Sequence, residues 1–325
     1  MNDTLQLFQA RALPLFTEQR YLVSFAVLAA LLFLAQAFNW LRLKSANPSD
    51  THRKVAVIIG SWWKILLFSF FAFWGGSLTL LPAFFFLTLF AVHEFLGVSA
   101  LKEARNQLYP VAAAGVLLHY VSFPLDSPDL FYASSHLYIL FLVMPLMILS
   151  KQLDKLHQLI AAMLGIMVLT VFLSFPVAIV HFPLPRIEGE SQARLAVLLL
   201  IVLTQVNDIL QFLNGKLFGR RKIIPWISPN KTEAGFIGGI FFSTLLGTFL
   251  WPLLLEISLP MAAGLSFLLS VGGMLGDLVC SAIKRHLGVK DFSDIIPGHG
   301  GVIDRMDSLL VTAPIFYYFL QLLQG

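Results

Sequence analysis

Between Ser281 and Asp307 the chain reads Ser-Ala-Ile-Lys-Arg-His-Leu-Gly-Val-Lys-Asp-Phe-Ser-Asp-Ile-Ile-Pro-Gly-His-Gly-Gly-Val-Ile-Asp-Arg-Met-Asp, a concentration of charge and glycine in a sequence that is otherwise nearly all hydrocarbon. Ionisable groups are costly near a bilayer and are kept where they meet water, a partner charge or a substrate, so this stretch is the default functional site. Its residue types suit phosphate and hard cations. Lys284, Arg285, Lys290 and Arg305 can neutralise a polyphosphate, and Asp277, Asp291, Asp304 and Asp307 can offer carboxylate oxygen to a divalent ion. Gly298, Gly300 and Gly301 let backbone amides approach a ligand closely.

Asp277, Ser281 and Lys284 follow at i, i+4 and i+7, one face of an α-helix, which can point at a ligand or form a solvated helix end with an internal Asp-to-Lys pair. Asp304 and Asp307 stand at i and i+3 just before an apolar run. Capping of a helix start explains one of them. It does not explain two aspartates with Arg305 and an upstream Pro-Gly-His-Gly-Gly turn, for which convergence on a divalent cation is the more economical account. A second constellation comprises Asp208, inside an apolar run and so in need of a partner, then Gly215-Lys216, Gly219-Arg220-Arg221-Lys222 and Ser228-Pro229-Asn230-Lys231-Thr232.

Ser281, Lys284-Arg285, Lys290-Asp291, Ser293, Pro297, His299-Gly300-Gly301, Asp304-Arg305 and Asp307, taken with their spacings, closely resemble the signature of the phosphatidate cytidylyltransferases, also called CDP-diacylglycerol synthases. The 208–232 segment is similar to the same family, whose members carry an intramembrane Asp, a glycine-spaced basic loop and Ser-Pro-x-Lys-Thr. Two departures stand out: Gln211-Phe212 where the family has Ala-Tyr, and Glu233-Ala234 where it has Trp-Glu. Glu233 is therefore a candidate to replace the carboxylate missing at Ala234. His93-Glu94 also resembles a family position with an acidic residue, although pairing of Glu94 with Lys102 explains it equally well.

The resemblance implies cytidylyl transfer from CTP to phosphatidate or a related phospholipid, with Mg2+ as cofactor, a second cation left open, and a homodimer. Asp208, Asp277, Asp304 and Asp307 become the expected metal ligands. Of these, Asp277, Asp304 and Asp307, with Lys284, Arg285, Lys290, Asp291 and His299, become catalytic candidates, and Lys216, Ser228, Lys231, Thr232, Ser281, Gly298, Gly300, Gly301 and Arg305 substrate contacts. A phosphatidate oxygen is already nucleophilic, so His299 is expected to donate to phosphate or pyrophosphate rather than act as a base. A CTP-dependent lipid kinase would need the same groups. A cation transporter would use Asp208 and Asp277 but has no need of the Lys-Arg cluster or the glycine turn.

The elements that must position these residues are membrane helices. Of 325 residues 58% are hydrophobic and 12% charged, with a mean hydropathy of +0.80, outside the range of a soluble domain. The expected fold is all-α and polytopic, with ten spans at 21–40, 65–74, 78–92, 108–123, 137–149, 156–180, 193–213, 236–255, 259–279 and 309–323. Under that topology all 22 Lys and Arg except Arg11, Arg20, Arg186 and Arg194 fall on one side. The basic side faces inward, so both termini are expected outside and the charged motif in the cytoplasm, in a bacterial inner membrane. No repeat or linker divides residues 1–325, although chemistry concentrates in 193–325 and 1–192 reads as scaffold. The start lacks a signal-peptide pattern, the lone Cys280 excludes internal disulfides, and the net charge of +4 suits anionic lipid headgroups with nothing pointing to nucleic acid.

Overall fold

The computed structural model describes residues 2–44, 50–99, 105–138 and 156–323; regular structure among them is helical apart from isolated bridges joining Lys222 to Thr232 and Ile296 to Gly300. In chain order the helices are α1 (Asn2–Leu43), α2 (Asp50–Trp74), α3 (Ser77–Val98), α4 (Arg105–Tyr120), α5 (Pro128–Tyr138), α6 (Leu156–His181), α7 (Gly189–Phe218), α8 (Glu233–Leu250), α9 (Leu259–His286), α10 (Val302–Met306) and α11 (Leu309–Leu322).

Among the described residues seven segments are long and apolar enough to cross a membrane: Gln19–Leu43, Val55–Trp74, Ser77–Val98, His157–His181, Gly189–Phe218, Glu233–Leu253 and Leu259–His286. Leu108–Tyr120 and Leu309–Leu322 are apolar but shorter. At 1.5 Å per residue the latter reaches about 21 Å, less than the ~30 Å hydrocarbon core. Of the ten expected spans, 137–149 falls from residue 139 onward outside the described residues. The second span begins ten residues earlier than expected, because Ser61, Trp62, Trp63 and Lys64 belong to the helix rather than to a loop. Ser61 is buried and its hydroxyl donates to the carbonyl of Pro297 (2.7 Å), so this face of α2 meets the glycine-rich segment. Gly76, at φ +63°, supplies the left-handed residue that separates α2 from α3.

The helices that carry the site pack through small residues. A Cβ on Gly239 of α8 would collide with Gln211 of α7, and one on Gly276 of α9 would collide with the carbonyl of Asp307. Polar groups join α7, α8 and α9: Asn207 Nδ2 donates to the Ser270 carbonyl (3.0 Å), and Ser243 Oγ reaches both Asn207 Oδ1 (3.0 Å) and Ser270 Oγ (2.7 Å). Buried between helices, such groups must find one another, which fixes the register of the three helices. Helix α11 then packs against both α6 and α9, with Phe316 stacked on the buried Trp251 and Tyr317 against Phe175. Cys280 is buried, as its small apolar character suggests.

Candidate active site

Segment 219–232 turns back on itself at the end of α7. Ile223 N–H donates to the Lys231 carbonyl (3.2 Å) and Glu233 N–H to the Arg221 carbonyl (3.0 Å), after which Thr232 caps α8 by accepting the Gly235 amide (3.2 Å). The fold encloses a cavity of about 630 Å³ between α7, α9 and this segment. Asp208 and Asp277 supply its acidic groups, and Lys216, Lys222 and Lys231 its cations. Ser228, Asn230 and Thr232 add neutral polar groups, so both signs of charge converge on a space of nucleotide size.

Asp277 is central to it. It is ion-paired with Lys231, and Ser281 Oγ donates to its Oδ1 (3.2 Å), one helical turn away as the spacing implied. On α7, Asp208 Oδ2 accepts from Ser308 Oγ (3.2 Å), while its Oδ1 is buried with no partner. Asp307 accepts the Ser308 amide (2.7 Å) but lines a separate apolar pocket of about 190 Å³ beside Gly276 and Cys280. Burial, reinforced by the charges of Asp277 and Asp208, pushes the Asp307 carboxyl up to about 8. No three His, Cys, Asp or Glu among the described residues form a ready metal cage. A buried carboxylate oxygen without a donor, crowded by two further acids, is nonetheless a donor set suited to a hard divalent ion.

The remaining signature residues do not line this cavity, and several of them brace the segments around it. Lys284 Nζ donates to Asp304 Oδ1 (2.6 Å) in a buried pair, and Asp304 Oδ2 accepts the amides of Phe292 (2.8 Å) and Gly301 (2.9 Å). Asp304 thus folds the 287–301 segment onto α9 and caps α10. Gly298 and Gly300, at φ +76° and +77°, make the turn. Arg285 donates to the carbonyls of Ile227 and Val289 (both 3.2 Å), tying the two loops together, and Lys290 is exposed outside the cavity lining. Asp291 is half-buried against Gly300. His299 is buried against Trp62 with Nδ1 unpartnered; burial, then the charge of Arg305, lowers its pKa. Arg305 points into a second cavity.

Of the expected site residues the cavity therefore gathers Asp208, Asp277, Lys216, Ser228, Lys231 and Thr232. Glu94 emerges as a brace: nearly fully buried, it accepts Ser293 Oγ (2.6 Å) and the amides of Val302 (2.9 Å) and Ile303 (3.1 Å). Lys102, its other candidate partner, lies outside the described residues. Glu233 is exposed on the first turn of α8, and neither it nor Ala234 lines the cavity. Gln211 and Phe212 do line it, placing that departure at the site itself.

Comparison with known proteins places the chain in a family. The cytidylyltransferase family model matches residues 54–323, from α2 through α11. An uncharacterized protein, YnbB, of Escherichia coli K12 is 35% identical over 301 residues, 92% of this chain and 97% of its own length. The phosphatidate cytidylyltransferase of Staphylococcus epidermidis is 31% identical over 249 residues, 74% of this chain and 89% of the relative. That of Bacillus subtilis is 49% identical over 110 residues, 33% of this chain and 40% of the relative. The chain belongs to the cytidylyltransferase family, among its phosphatidate cytidylyltransferases.

Proposed function

We propose that the enzyme joins CTP to phosphatidate, releasing pyrophosphate and leaving CDP-diacylglycerol in the membrane, with Mg2+ as its cation and with its cavity open to the cytoplasm. The observation that carries this reading is the 630 Å³ cavity in which Asp208 and Asp277 face Lys216, Lys222 and Lys231. Phosphoryl-group chemistry asks little covalent work of a protein, so positioning and charge neutralisation dominate.

In this reading a phosphatidate oxygen attacks the α-phosphorus of CTP, the bond from that phosphorus to the bridging oxygen breaks, and the electron pair leaves with pyrophosphate. Lys216 and Lys222 hold the outer phosphates. Lys231, now paired with Asp277, moves its charge onto the developing pyrophosphate. Asp208 and Asp277, with Asp307 behind them, would hold Mg2+, which would supply Lewis-acid polarisation of the phosphate oxygens. Ser281 and Ser308 keep the two carboxylates in orientation by donating to them.

Purified protein given CTP, phosphatidate and Mg2+ is expected to release pyrophosphate and form CDP-diacylglycerol in equal amounts. Release of CDP with a newly phosphorylated lipid would instead establish a kinase.

A further inference from the structure

Segment 219–232 joins the ends of two apolar spans, Gly189–Phe218 and Glu233–Leu253, so it lies at one boundary of the membrane. Its charge is all of one sign. Between Asp208 and Glu233 stand five basic residues, Lys216, Arg220, Arg221, Lys222 and Lys231, and no acidic one. Lys216, Lys222 and Lys231 line the large cavity. Arg220 and Arg221 do not; both are exposed and neither is ion-paired among the described residues, so their charge faces outward.

The tip of the segment is apolar, Ile223-Ile224-Pro225-Trp226-Ile227. There the amides of Ile227 (3.1 Å) and Ser228 (2.9 Å) both donate to the Ile224 carbonyl, and Trp226 stands on the resulting turn with 75% of its surface exposed. The turn is tied on both sides: Ile223 N–H donates to the Lys231 carbonyl, and Arg285 Nε of α9 donates to the Ile227 carbonyl (both 3.2 Å). An indole fixed in a tied turn yet left outside the protein gains little by folding. Its amphipathic ring suits the headgroup level of a bilayer, where tryptophan concentrates. Leu217 and Phe218, strongly exposed at the end of α7, bring apolar surface up to the same place.

We propose that this turn and the two arginines form a contact with anionic phospholipid other than the substrate, Trp226 inserting at headgroup level while Arg220 and Arg221 take lipid phosphates. The bonds from Ile223 to Lys231 and from Glu233 to Arg221 make the segment one body with Lys222 and Thr232, so holding its outer side to the membrane surface steadies a wall of the cavity. A soluble acidic partner would leave Trp226, Leu217 and Phe218 unused, and a second copy seated symmetrically on the turn would bring like charges together. The contact itself is independent of the reaction; its effect on rate rests on the cytidylyltransferase reading.

The test places full-length protein in vesicles of phosphatidylcholine and phosphatidylglycerol, one or the other brominated in its acyl chains close to the headgroup, and takes the fluorescence of Trp226 as the difference between wild type and Trp226→Phe. Bromine should quench that fluorescence, with phosphatidylglycerol favoured over phosphatidylcholine by at least about fivefold, the worth of one arginine near an anionic surface. In the double variant Arg220→Gln, Arg221→Gln the ratio should fall toward one. At fixed CTP and phosphatidate, CDP-lipid formation in the same vesicles should rise with the phosphatidylglycerol fraction in wild type and much less in the double variant. Absence of quenching by either lipid would place the turn in water or against a protein and overturn the contact, and equal quenching by both would remove its anionic character. Preferential quenching with a rate indifferent to phosphatidylglycerol would break the link to the cavity wall. Preferential quenching with no CDP-lipid formed at all would overturn the reaction and leave the membrane contact standing. The substitutions change exposed side chains only, so the variants are expected to fold.

Discussion

Two Lys–Asp pairs are anchored on α9, one through Asp277 and the other through Lys284 about two turns further on, and their surroundings give them opposite roles. Asp277 pairs with Lys231 at the wall of the large cavity, where the two side chains retain 24% and 21% of their exposure. Asp304 and Lys284 retain 3% and 10%, and both Asp304 oxygens are already used, one by the ammonium and the other by two amides. The first pair can open to take a phosphate or a cation. The second cannot open without freeing a buried charge and unfolding a turn. Identical residue types thus do exchangeable electrostatic work in one place and fixed architectural work in the other.

The sharpest way to break this comparison is to neutralise each aspartate. Asp277→Asn should lower turnover by about 10²–10³-fold or more, since it removes charge from the reacting centre, while the apparent Tm in detergent stays close to wild type. Asp304→Asn should lower turnover as well, but with a stability loss of about 3–5 kcal/mol, because Lys284 is left buried without its counter-charge. Turnover at saturating Mg2+ and thermal denaturation, measured on both proteins, separate the roles. An Asp304→Asn enzyme that is inactive yet melts like wild type would make Asp304 a ligand and erase the distinction.

Glu94 extends the bracing role to a helix far away in sequence. Its carboxylate holds the start of α10 and Ser293 together, so Glu94→Gln keeps the shape but loses charge on three hydrogen bonds. We expect kcat to fall by about tenfold to a hundredfold, the range for groups that hold catalytic ligands from behind, with KM for CTP nearly unchanged. A rise in KM for CTP at constant kcat would place Glu94 in nucleotide binding instead.

Membrane character was legible because hydrocarbon runs announce themselves by composition, and the C-terminal signature was legible because its charges interrupt them. The division of that signature was not. Whether Asp304 or Asp277 is free depends on which amides and ammonium groups surround each, and Phe292, Gly301 and Lys284 become neighbours only after the 287–301 turn is made. Glu94 lies about two hundred positions from its partners, beyond any local pattern. Lys222 and Lys290 are equally basic and exposed, yet only Lys222 lines the cavity, because its antiparallel bridge to Thr232 folds that loop back over α7 and α9. The start of α2 was hidden for a related reason: Ser61 and Lys64 look like loop residues until the turn and the second cavity they face are known.

The smallest effect is expected where the chain departs most visibly from its relatives' pattern. Glu233 begins α8, exposed, with its amide tied to the Arg221 carbonyl and its side chain outside the cavity lining. A carboxylate there interacts favourably with the helix N-terminus, a contribution of about 0.3–1 kcal/mol that neither touches substrate nor positions a group that does. Glu233→Gln should therefore change kcat/KM by less than about twofold and leave the KM values for CTP and phosphatidate where they were. The neighbouring Gln211, buried on α7 with its Nε2 unpartnered and lining the cavity, is the contrasting position: Gln211→Ala should change KM for CTP more than Glu233→Gln does. If Glu233→Gln instead lost activity severely, segment 219–232 would have to close further over the cavity during turnover, carrying that carboxylate inward, and the resting geometry would not be the one in which the chemistry occurs.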